Sequence, residues 1–285
     1  MQPVLVNIGC GATWHPSWMN LDVRPVDPRV QLWDAAKGLP FETEQVDVCY
    51  ASHLLEHLTP DQARALLVEC LRVLRRGGII RLAVPDLEGV AREYLRVLAQ
   101  AESGDRAAVE QYKWIVLELL DQLVRDRSGG EMERYLRTQA RGNAEYVTAR
   151  IGPEALNYMD GENRPNGSIG RCEPPHFGVR SMVSAVARRI RSARSRPGLR
   201  KRILLSANGE QEALRLGQFR LSGECHRWMY DRFSLRQLLE QCGFSEARTC
   251  SAFESRIDRF ASFGLDIVEG RVRKPDSLFM EAIKP

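Results

Sequence analysis

The stretch VLVNIGCG, from Val4 to Gly11, decides the fold of this chain. Its first part, Val4–Ile8, is a compact and mostly apolar run that predicts a buried β-strand. Gly9 and Gly11 then predict a tight turn, where the missing side chains let a ligand approach the backbone closely. A strand that runs into a glycine turn is a weak signal alone, so the downstream residues decide its meaning.

Asp22 follows this turn at a spacing that suits a nucleoside site. It lies at the end of the next strand candidate, Asn20–Val23, where a carboxylate can accept hydrogen bonds from both hydroxyls of a ribose. The ten residues between Gly11 and Asp22 are too few for the long helix that holds pyrophosphate in dinucleotide sites. The third glycine of the dinucleotide fingerprint is also missing. This spacing favours a nucleoside-containing ligand without phosphates.

Short apolar runs alternate with helix and turn signals at both ends of the chain. Further strands are predicted at Val30–Asp34, Val46–Ala51, Ile79–Val84, Ala247–Ala252 and Ser277–Ile283, and helices at Gln62–Leu74 and Ser234–Cys242. This alternation predicts an α/β fold with a parallel sheet covered by helices. Between the two ends, long Arg-rich helical patterns such as Ala107–Arg127, and a loop over Gly152–Pro175, predict a large helical insertion.

Composition narrows the class of protein. The chain has 285 residues, 44% of them hydrophobic, and a formal net charge of +4, so its overall charge does not indicate a nucleic-acid partner. Its seven cysteines are scattered without a Cys-x-x-Cys pair, which fits reduced thiols rather than a disulfide framework or a zinc ribbon. The sequence contains neither a leader pattern nor a run of about 18 apolar residues. We therefore expect a soluble, cytoplasmic protein.

Several sequence elements together resemble a known family. They are NIGCG (Asn7–Gly11), WMNLD (Trp18–Asp22), Asp34 followed by LPF (Leu39–Phe41), DVCYASH (Asp47–His53), LEHL (Leu55–Leu58) and RVLRRGG (Arg72–Gly78). In this order they resemble the class I, Rossmann-like methyltransferases that use S-adenosylmethionine (SAM), and in particular the type 11 branch. The resemblance implies a mostly parallel seven-stranded sheet flanked by helices, SAM as the cofactor, and methyl transfer as the activity.

The resemblance also assigns cofactor contacts. In this family the glycine turn holds the methionine part of SAM, and acidic residues after the second and third strands hold the ribose and approach the adenine. We therefore predict that the cofactor site consists of Asn7, Gly9, Cys10, Gly11, Asp22, Asp34 and Ser52. The chain departs from the family in two places. Asn7 stands where the family often has an acidic residue, and the short segment Ala12–Ser17 replaces the usual first helix.

The chain divides into a part that binds SAM and a part that selects the methyl acceptor. We expect residues 1–86 and 222–285 to form the SAM-binding domain, and residues 87–221 to cover the crevice as a lid. The resemblance favours an acceptor with an oxygen or nitrogen atom, such as a sugar, a lipid-linked glycan or another small biosynthetic intermediate. A catalytically silent protein that binds SAM or a partner is the alternative from another functional class.

Two histidines are candidates for the catalytic base, because an imidazole titrates near neutral pH. His53 follows the strand candidate Val46–Ala51, at the end where open α/β sheets bind ligands. His226 lies in the polar and aromatic segment Gly223–Asp231. Trp228 and Tyr230 of that segment have a purely structural interpretation, in which they pack the insertion onto the sheet.

The segment His53–His57, HLLEH, also matches the His-x-x-Glu-His pattern of a zinc peptidase class. His53, Glu56 and His57 would then bind zinc in a hydrolase. The segment follows a strand, however, and corresponds to the family's Glu-His pair at the start of a short helix, where Glu56 and His57 stabilise the helix start. We therefore predict no metal site.

The segment Arg188–Arg202 contains eight Arg or Lys residues in fifteen and no acidic residue. It predicts either a solvated basic face or peripheral contact with an anionic surface, such as a membrane or a phosphorylated lipid-linked glycan. RNA is disfavoured, because the aromatic residues that stack on unpaired bases are absent. His176 is a further pocket candidate on a predicted loop.

Overall fold

The computed structural model describes residues 3–160 and 197–285 of the chain. Its strands are β1 (Leu5–Ile8), β2 (Met19–Asp22), β3 (Val30–Leu32), β4 (Val46–Ser52), β5 (Leu74–Pro85), β6 (Ser245–Cys250), β7 (Ile267–Val268), β8 (Arg271–Val272) and β9 (Ser277–Ile283). Seven of them form one sheet in the order β3-β2-β1-β4-β5-β9-β6, and β7 pairs with β8. In the seven-stranded sheet, β9 is antiparallel to both of its neighbours, and the other four pairs are parallel. The predicted mostly parallel, seven-stranded α/β fold is confirmed.

Eight α-helices accompany the sheet in the described part of the chain. They are α1 (Pro60–Val73), α2 (Leu87–Glu102), α3 (Arg106–Val124), α4 (Gly130–Thr138), α5 (Ala144–Ile151), α6 (Glu154–Met159), α7 (Pro197–Arg220) and α8 (Arg232–Gln241). All four residues of β1 are buried, which explains why its sequence is apolar on both faces except at Asn7 instead of alternating. Helices α1 and α8 contribute Leu67 and Leu235 to the apolar cluster that also contains Val6.

The start of α1 agrees with its sequence signals, but its end does not. Thr59 caps the helix by accepting a hydrogen bond from the Gln62 backbone N–H, and the Gln62 side chain accepts one from the Thr59 N–H. The sequence predicts that the helix extends to Leu74. Leu74 is instead fully buried as the first residue of β5, where it pairs with Val46. Strand β5 is therefore longer than the predicted Ile79–Val84.

Helices α2 to α6 form the first described part of the predicted insertion, and α7 forms the second. Helices α3 to α6 share an apolar cluster built around Trp114 of α3, to which Tyr135 of α4 and Ala155 of α6 belong. Helix α6 lies inside the stretch Gly152–Pro175, so the prediction of a loop throughout that stretch is wrong. Burial of Ala155 and Met159 against the cluster stabilises this short helix, which is too brief to form from its sequence alone.

Backbone hydrogen bonds join these helices to the sheet. The N–H of Leu87 donates to the Tyr230 carbonyl at 3.0 Å, and the N–H of His226 donates to the Gln122 carbonyl at 3.0 Å. The N–H of Arg227 donates to the Glu56 carbonyl at 2.6 Å. The segment before α8 is thereby held against both α3 and the residues that follow β4.

Two predicted features lie outside what the structure describes. His176 falls between the described ranges, as does most of the basic segment Arg188–Arg202; its remainder begins α7, whose side chains are described only from residue 209 onward. No described helix is both long and apolar enough to cross a membrane.

Candidate active site

Strand order brings the predicted site residues to one edge of the sheet. Strand β1 pairs in parallel with β2 and β4, and β2 pairs in parallel with β3. The carboxyl ends of these four strands therefore point the same way, and they are followed by Gly9, Asp22, Asp34 and His53. Ligands of open α/β sheets bind at this edge.

Glycine is favoured at the two positions of the turn, residues 9 and 11, for different structural reasons. Gly9 has a φ of +65°, and a Cβ placed there would lie 2.9 Å from Cδ1 of Leu54. Gly11 has a φ of +52°, and no described heavy atom beyond its chain neighbours lies within 4 Å of its Cβ position. Packing therefore requires glycine at residue 9, whereas residue 11 faces open space that a ligand can enter.

Asp22 is bound to this turn by its side chain. Its Oδ2 accepts a hydrogen bond from the Gly11 N–H at 2.8 Å, and its Oδ1 accepts one from the Arg24 N–H at 2.7 Å. Asp34 follows β3 with its side chain 40% exposed, 3.5 Å from Nζ of Lys37. Both carboxylates thus lie at the strand edge and are reachable from solvent.

The other predicted cofactor contacts are more enclosed. The buried Asn7 amide donates to the Thr13 carbonyl at 2.9 Å and to Oδ1 of Asn20 at 3.1 Å, so its N–H groups hold the β1–β2 link. Burial raises the pKa of the Cys10 thiol to about 12, which keeps it protonated near neutral pH. Ser52 ends β4. The link between β1 and β2 contains no helix, as its length predicts.

His53 occupies an unusual backbone position at the end of β4. Its φ is +52°, in a region that residues other than glycine rarely adopt. The ring is 14% exposed; Nε2 lies 2.8 Å from Oγ of Ser277, and Nδ1 lies 3.2 Å from Oε1 of Glu56. Burial, followed by the nearby Lys274, lowers the pKa of His53 to about 3, so the ring is neutral.

The segment His53–His57 does not form the α-helix of a zinc peptidase motif. Leu55–His57 is a single 3₁₀ turn, and His53 precedes it with a left-handed backbone. The two imidazoles therefore do not lie one α-helical turn apart.

A cavity of about 180 Å³ lies between this edge of the sheet and the inserted helices. Residues from the sheet side, from the helices and from the two C-terminal segments surround it: His53, Glu56, His57, Pro85, Asp86, Val90, Glu118, Gln122, Met132, Ile151, Glu154, Ala155, Tyr158, His226, Met229, Lys274 and Asp276. The structure thus brings the two predicted catalytic histidines, His53 and His226, into one cavity. Nothing in the sequence pattern marked Asp276, whose Oδ1 is buried and has no hydrogen-bond partner within residues 3–160 and 197–285.

Glu56, His57 and His226 form a cluster on the cavity wall. Their potential ligand atoms all lie within 4.8 Å of one another, and the two imidazole rings meet edge to face with centroids 4.9 Å apart. Burial raises the pKa of Glu56, lowers that of His57, and lowers that of His226 to about 2. The sequence predicted that Glu56 and His57 stabilise the turn, and it treated His226 separately, because only the fold brings the segment before α8 beside the end of β4.

A family model described as a methyltransferase domain matches residues 6–82. None of the curated proteins compared with this chain matches it. A solved complex of the Haloferax volcanii Trm112 methyltransferase activator with a methyltransferase is 18% identical, with coverage of 30% of this chain and 45% of that chain and a TM-score of 0.25.

Two further solved structures are similar to this chain. Phosphoethanolamine N-methyltransferase 1 of Haemonchus contortus, in complex with phosphoethanolamine and S-adenosylhomocysteine, is 18% identical over 30% of this chain and 24% of that chain, with a TM-score of 0.25. A SAM-dependent methyltransferase of Thermotoga maritima is 11% identical over 100% of this chain and 83% of that chain, with a TM-score of 0.35. The chain therefore spans less than half the length of the first two, and likenesses this low do not assign a substrate.

The sheet order and the glycine turn define a Rossmann-like α/β protein with its ligand site at the carboxyl ends of the strands. The family match begins in β1 and ends in β5, so it spans this ligand-binding edge. The matched part of the chain is thus similar to a methyltransferase domain, the kind of domain for which the sequence predicts SAM as the cofactor. The open space beside Gly11 is compatible with a ligand of this kind.

Proposed function

We propose that this methyltransferase transfers the methyl group of SAM to an oxygen or nitrogen atom of a small molecule bound in the cavity. The observation that carries the proposal is that the cavity lies next to the glycine turn at the predicted cofactor site. His53 lines the cavity, and the next residue, Leu54, packs against the Gly9 turn. A molecule in the cavity would therefore lie next to the cofactor edge.

The residues at the strand ends would hold the cofactor. Gly11 leaves space for its methionine part, and Asp22 has a carboxylate placed to accept hydrogen bonds from the ribose hydroxyls. Asp34, one strand further out in the sheet, would approach the adenine. Asn7 acts indirectly in this arrangement, because its amide holds the link after the turn.

Alignment supplies most of the rate in this proposal. SAM brings a methyl group on a sulfonium, which is already an activated leaving group. The chain has to hold the acceptor atom in line with that group, and the rigid edge of the sheet suits this task. No covalent bond to the protein is required.

When the group to be methylated is a hydroxyl, His53 is the proposed base that takes its proton. As the acceptor O–H bond breaks, its proton passes to the imidazole, and the oxygen electron pair forms the new bond to the methyl carbon while sulfur keeps the pair of the old bond. The hydroxyl of Ser277, 2.8 Å from Nε2, fixes the orientation of the ring. His226 is the second candidate for this role.

The cavity wall supports a small polar acceptor. It carries the carboxylates of Glu56, Asp86, Glu118, Glu154 and Asp276, and Lys274 as its only lysine or arginine among the described residues. Hydroxyl and amine groups are donors that such a wall can bind. A sugar, or another hydroxylated or amine-bearing biosynthetic intermediate, has the size and the chemistry for this space.

The test is to fill the cavity without touching the cofactor edge. Ala155→Leu adds volume at a fully buried wall position, whereas Ala107→Leu makes the same change at an exposed position of α3. Production of S-adenosylhomocysteine is measured with a panel of sugars, sugar phosphates and small amines. We expect turnover by the wild type and by Ala107→Leu, and at least about tenfold less by Ala155→Leu, because overpacking displaces the acceptor.

Calorimetric titration with S-adenosylhomocysteine shows whether Ala155→Leu has kept its cofactor site. Unchanged turnover in a variant that binds this product normally would contradict the assignment of the cavity. Methyl transfer to a protein or an RNA, with none to the small molecules, would contradict the proposed acceptor class.

A further inference from the structure

The cluster of Glu56, His57 and His226 has a composition that goes beyond the methyl transfer proposed above, which uses only His226, as the second candidate for the base. It consists of one carboxylate and two imidazoles on one wall of the cavity, with ligand atoms within 4.8 Å of one another. Two imidazoles and one carboxylate are a recurrent ligand set for divalent transition metals, because they occupy one side of the ion and leave other positions open.

Glu56 is the first reason to assign a ligand to this cluster. Its side chain is fully buried, and neither carboxylate oxygen accepts a hydrogen bond from the described residues, although Oε1 lies 3.2 Å from Nδ1 of His53. Burying a carboxylate without partners is costly, and buried charges are normally paired or bound to a metal. Glu56 is one of the residues that line the cavity, which offers an ion room next to the carboxylate.

The orientation of His57 is the second, independent reason. Its Nδ1 lies 3.3 Å from the Cys225 carbonyl, which can only accept, so this nitrogen carries the proton. The lone pair is then on Nε2, which lies 3.9 Å from Oε1 of Glu56. A metal-binding histidine is commonly oriented by just such a bond from its other ring nitrogen to a carbonyl.

His226 completes the set from a fixed backbone. Its N–H donates to the Gln122 carbonyl, and the next residue, Arg227, donates to the Glu56 carbonyl. The segment that carries His226 is thereby tied to the residue that supplies the carboxylate. Metal–ligand bonds of about 2.0–2.2 Å require ligand atoms somewhat closer than 4.8 Å. Side-chain rotations that bring these atoms together would complete the site.

We propose that Glu56, His57 and His226 bind one divalent transition-metal ion, with zinc as the probe, and leave its remaining positions open to the cavity. This site includes His226 and omits His53, so it differs from the set that the HLLEH pattern offered. Its role in catalysis rests on the proposed function. An acceptor oxygen on the ion would lose its proton more readily, and His226 would be a ligand instead of a base.

The test is a titration of the full chain after removal of metal with a chelator. Zn²⁺ binding is followed by calorimetry, and Co²⁺ binding by its visible absorption, which reports nitrogen and oxygen ligands without any turnover. We expect one ion per chain. Glu56→Gln, His57→Gln and His226→Gln should each weaken binding at least about 100-fold, since loss of even an outer partner commonly costs 10–100-fold.

Two matched control variants distinguish binding at this cluster from binding to other carboxylates of the cavity or to other histidines. Glu154→Gln makes the same carboxylate change on the cavity wall, where Glu154 is half-exposed and paired with Arg273. His15→Gln removes a histidine in the β1–β2 link, outside the cavity. Both should bind one ion as tightly as the wild type.

Titration with S-adenosylhomocysteine in parallel shows that each variant is folded and keeps the two proposals apart. Absence of 1:1 metal binding in a wild-type protein that binds S-adenosylhomocysteine would overturn the metal site and leave the proposed function standing. Binding that persists in all three cluster variants would also overturn it, because the ion would then lie elsewhere. Metal binding that the three substitutions abolish supports the site even when no acceptor is methylated.

Discussion

Asp22 shows how one side chain links the glycine turn to the predicted cofactor. In the structure its carboxylate accepts hydrogen bonds from the backbone N–H groups of Gly11 and Arg24, so it is held at the sheet edge by two donors. Each oxygen retains a second lone pair, which a ribose hydroxyl can use. The residue therefore both shapes the turn and remains available to a ligand.

Asp22→Asn is expected to weaken S-adenosylhomocysteine binding at least about tenfold. The amide keeps the size of the side chain but loses the charge, and hydrogen bonds to a charged group contribute about 1.5–3 kcal/mol. Calorimetric titration measures the change. Asp27→Asn is the matched control, because Asp27 lies in the next loop, paired with Arg29, away from the turn. Equal affinities of Asp22→Asn and wild type would contradict the ribose assignment.

At the scale of elements, the cavity depends on how the inserted helices pack. Trp114 of α3 is fully buried among residues of α4, α5 and α6, and its Nε1 donates to Oε2 of Glu118 at 2.9 Å. Glu118 and Ala155 both line the cavity. The indole therefore supports the helical wall while the sheet forms the opposite wall. The assignment of acceptor selection to residues 87–221 stays a prediction.

Trp114→Ala is expected to loosen the helical wall and leave the sheet edge intact. Removing a buried indole costs about 3–5 kcal/mol, and that loss falls on the local cluster. Hydrogen exchange should become faster in α4 and α6 than in β4, while S-adenosylhomocysteine affinity changes little. Leu120→Ala, at a half-exposed position of the same helix, is the control. Uniformly faster exchange in helices and sheet would show instead that the wall and the sheet unfold as one unit.

At the scale of the whole molecule, a buried charge network joins the two ends of the chain. Arg81 of β5 is fully buried; its Nε donates to Oδ2 of Asp266 at 2.8 Å and its Nη1 donates to Oε1 of Glu281 at 2.7 Å. The hydroxyl of Tyr50 in β4 donates to the other oxygen of Asp266 at 2.5 Å. The guanidinium also lies 4.5 Å from the ring centroid of Phe260. Strands from the first 85 residues are thus fastened to the C-terminal segments.

Arg81→Met is expected to lower the free energy of unfolding by about 3–5 kcal/mol. The substitution leaves two carboxylates buried without their cation, and breaking a buried ion pair on one side costs about that much. Urea unfolding followed by circular dichroism measures the change. Arg92→Met, at an exposed pair on α2, should cost less than about 1 kcal/mol. A loss of that small size for Arg81→Met would mean that the network contributes little to joining the chain ends.

The sequence by itself determined the α/β class, the glycine turn and most strands, because a strand buried on both faces has to be apolar and a tight turn has to contain glycine. It also predicted the residues that follow the strands, such as Asp22 and His53, since parallel strands end at one edge. Only the tertiary structure decided that Leu74 begins a strand and that α6 forms, because long-range burial overrides local preference. It alone brought His226 to Glu56 and His57, since contacts between residues far apart in sequence depend on how the helices pack against the sheet.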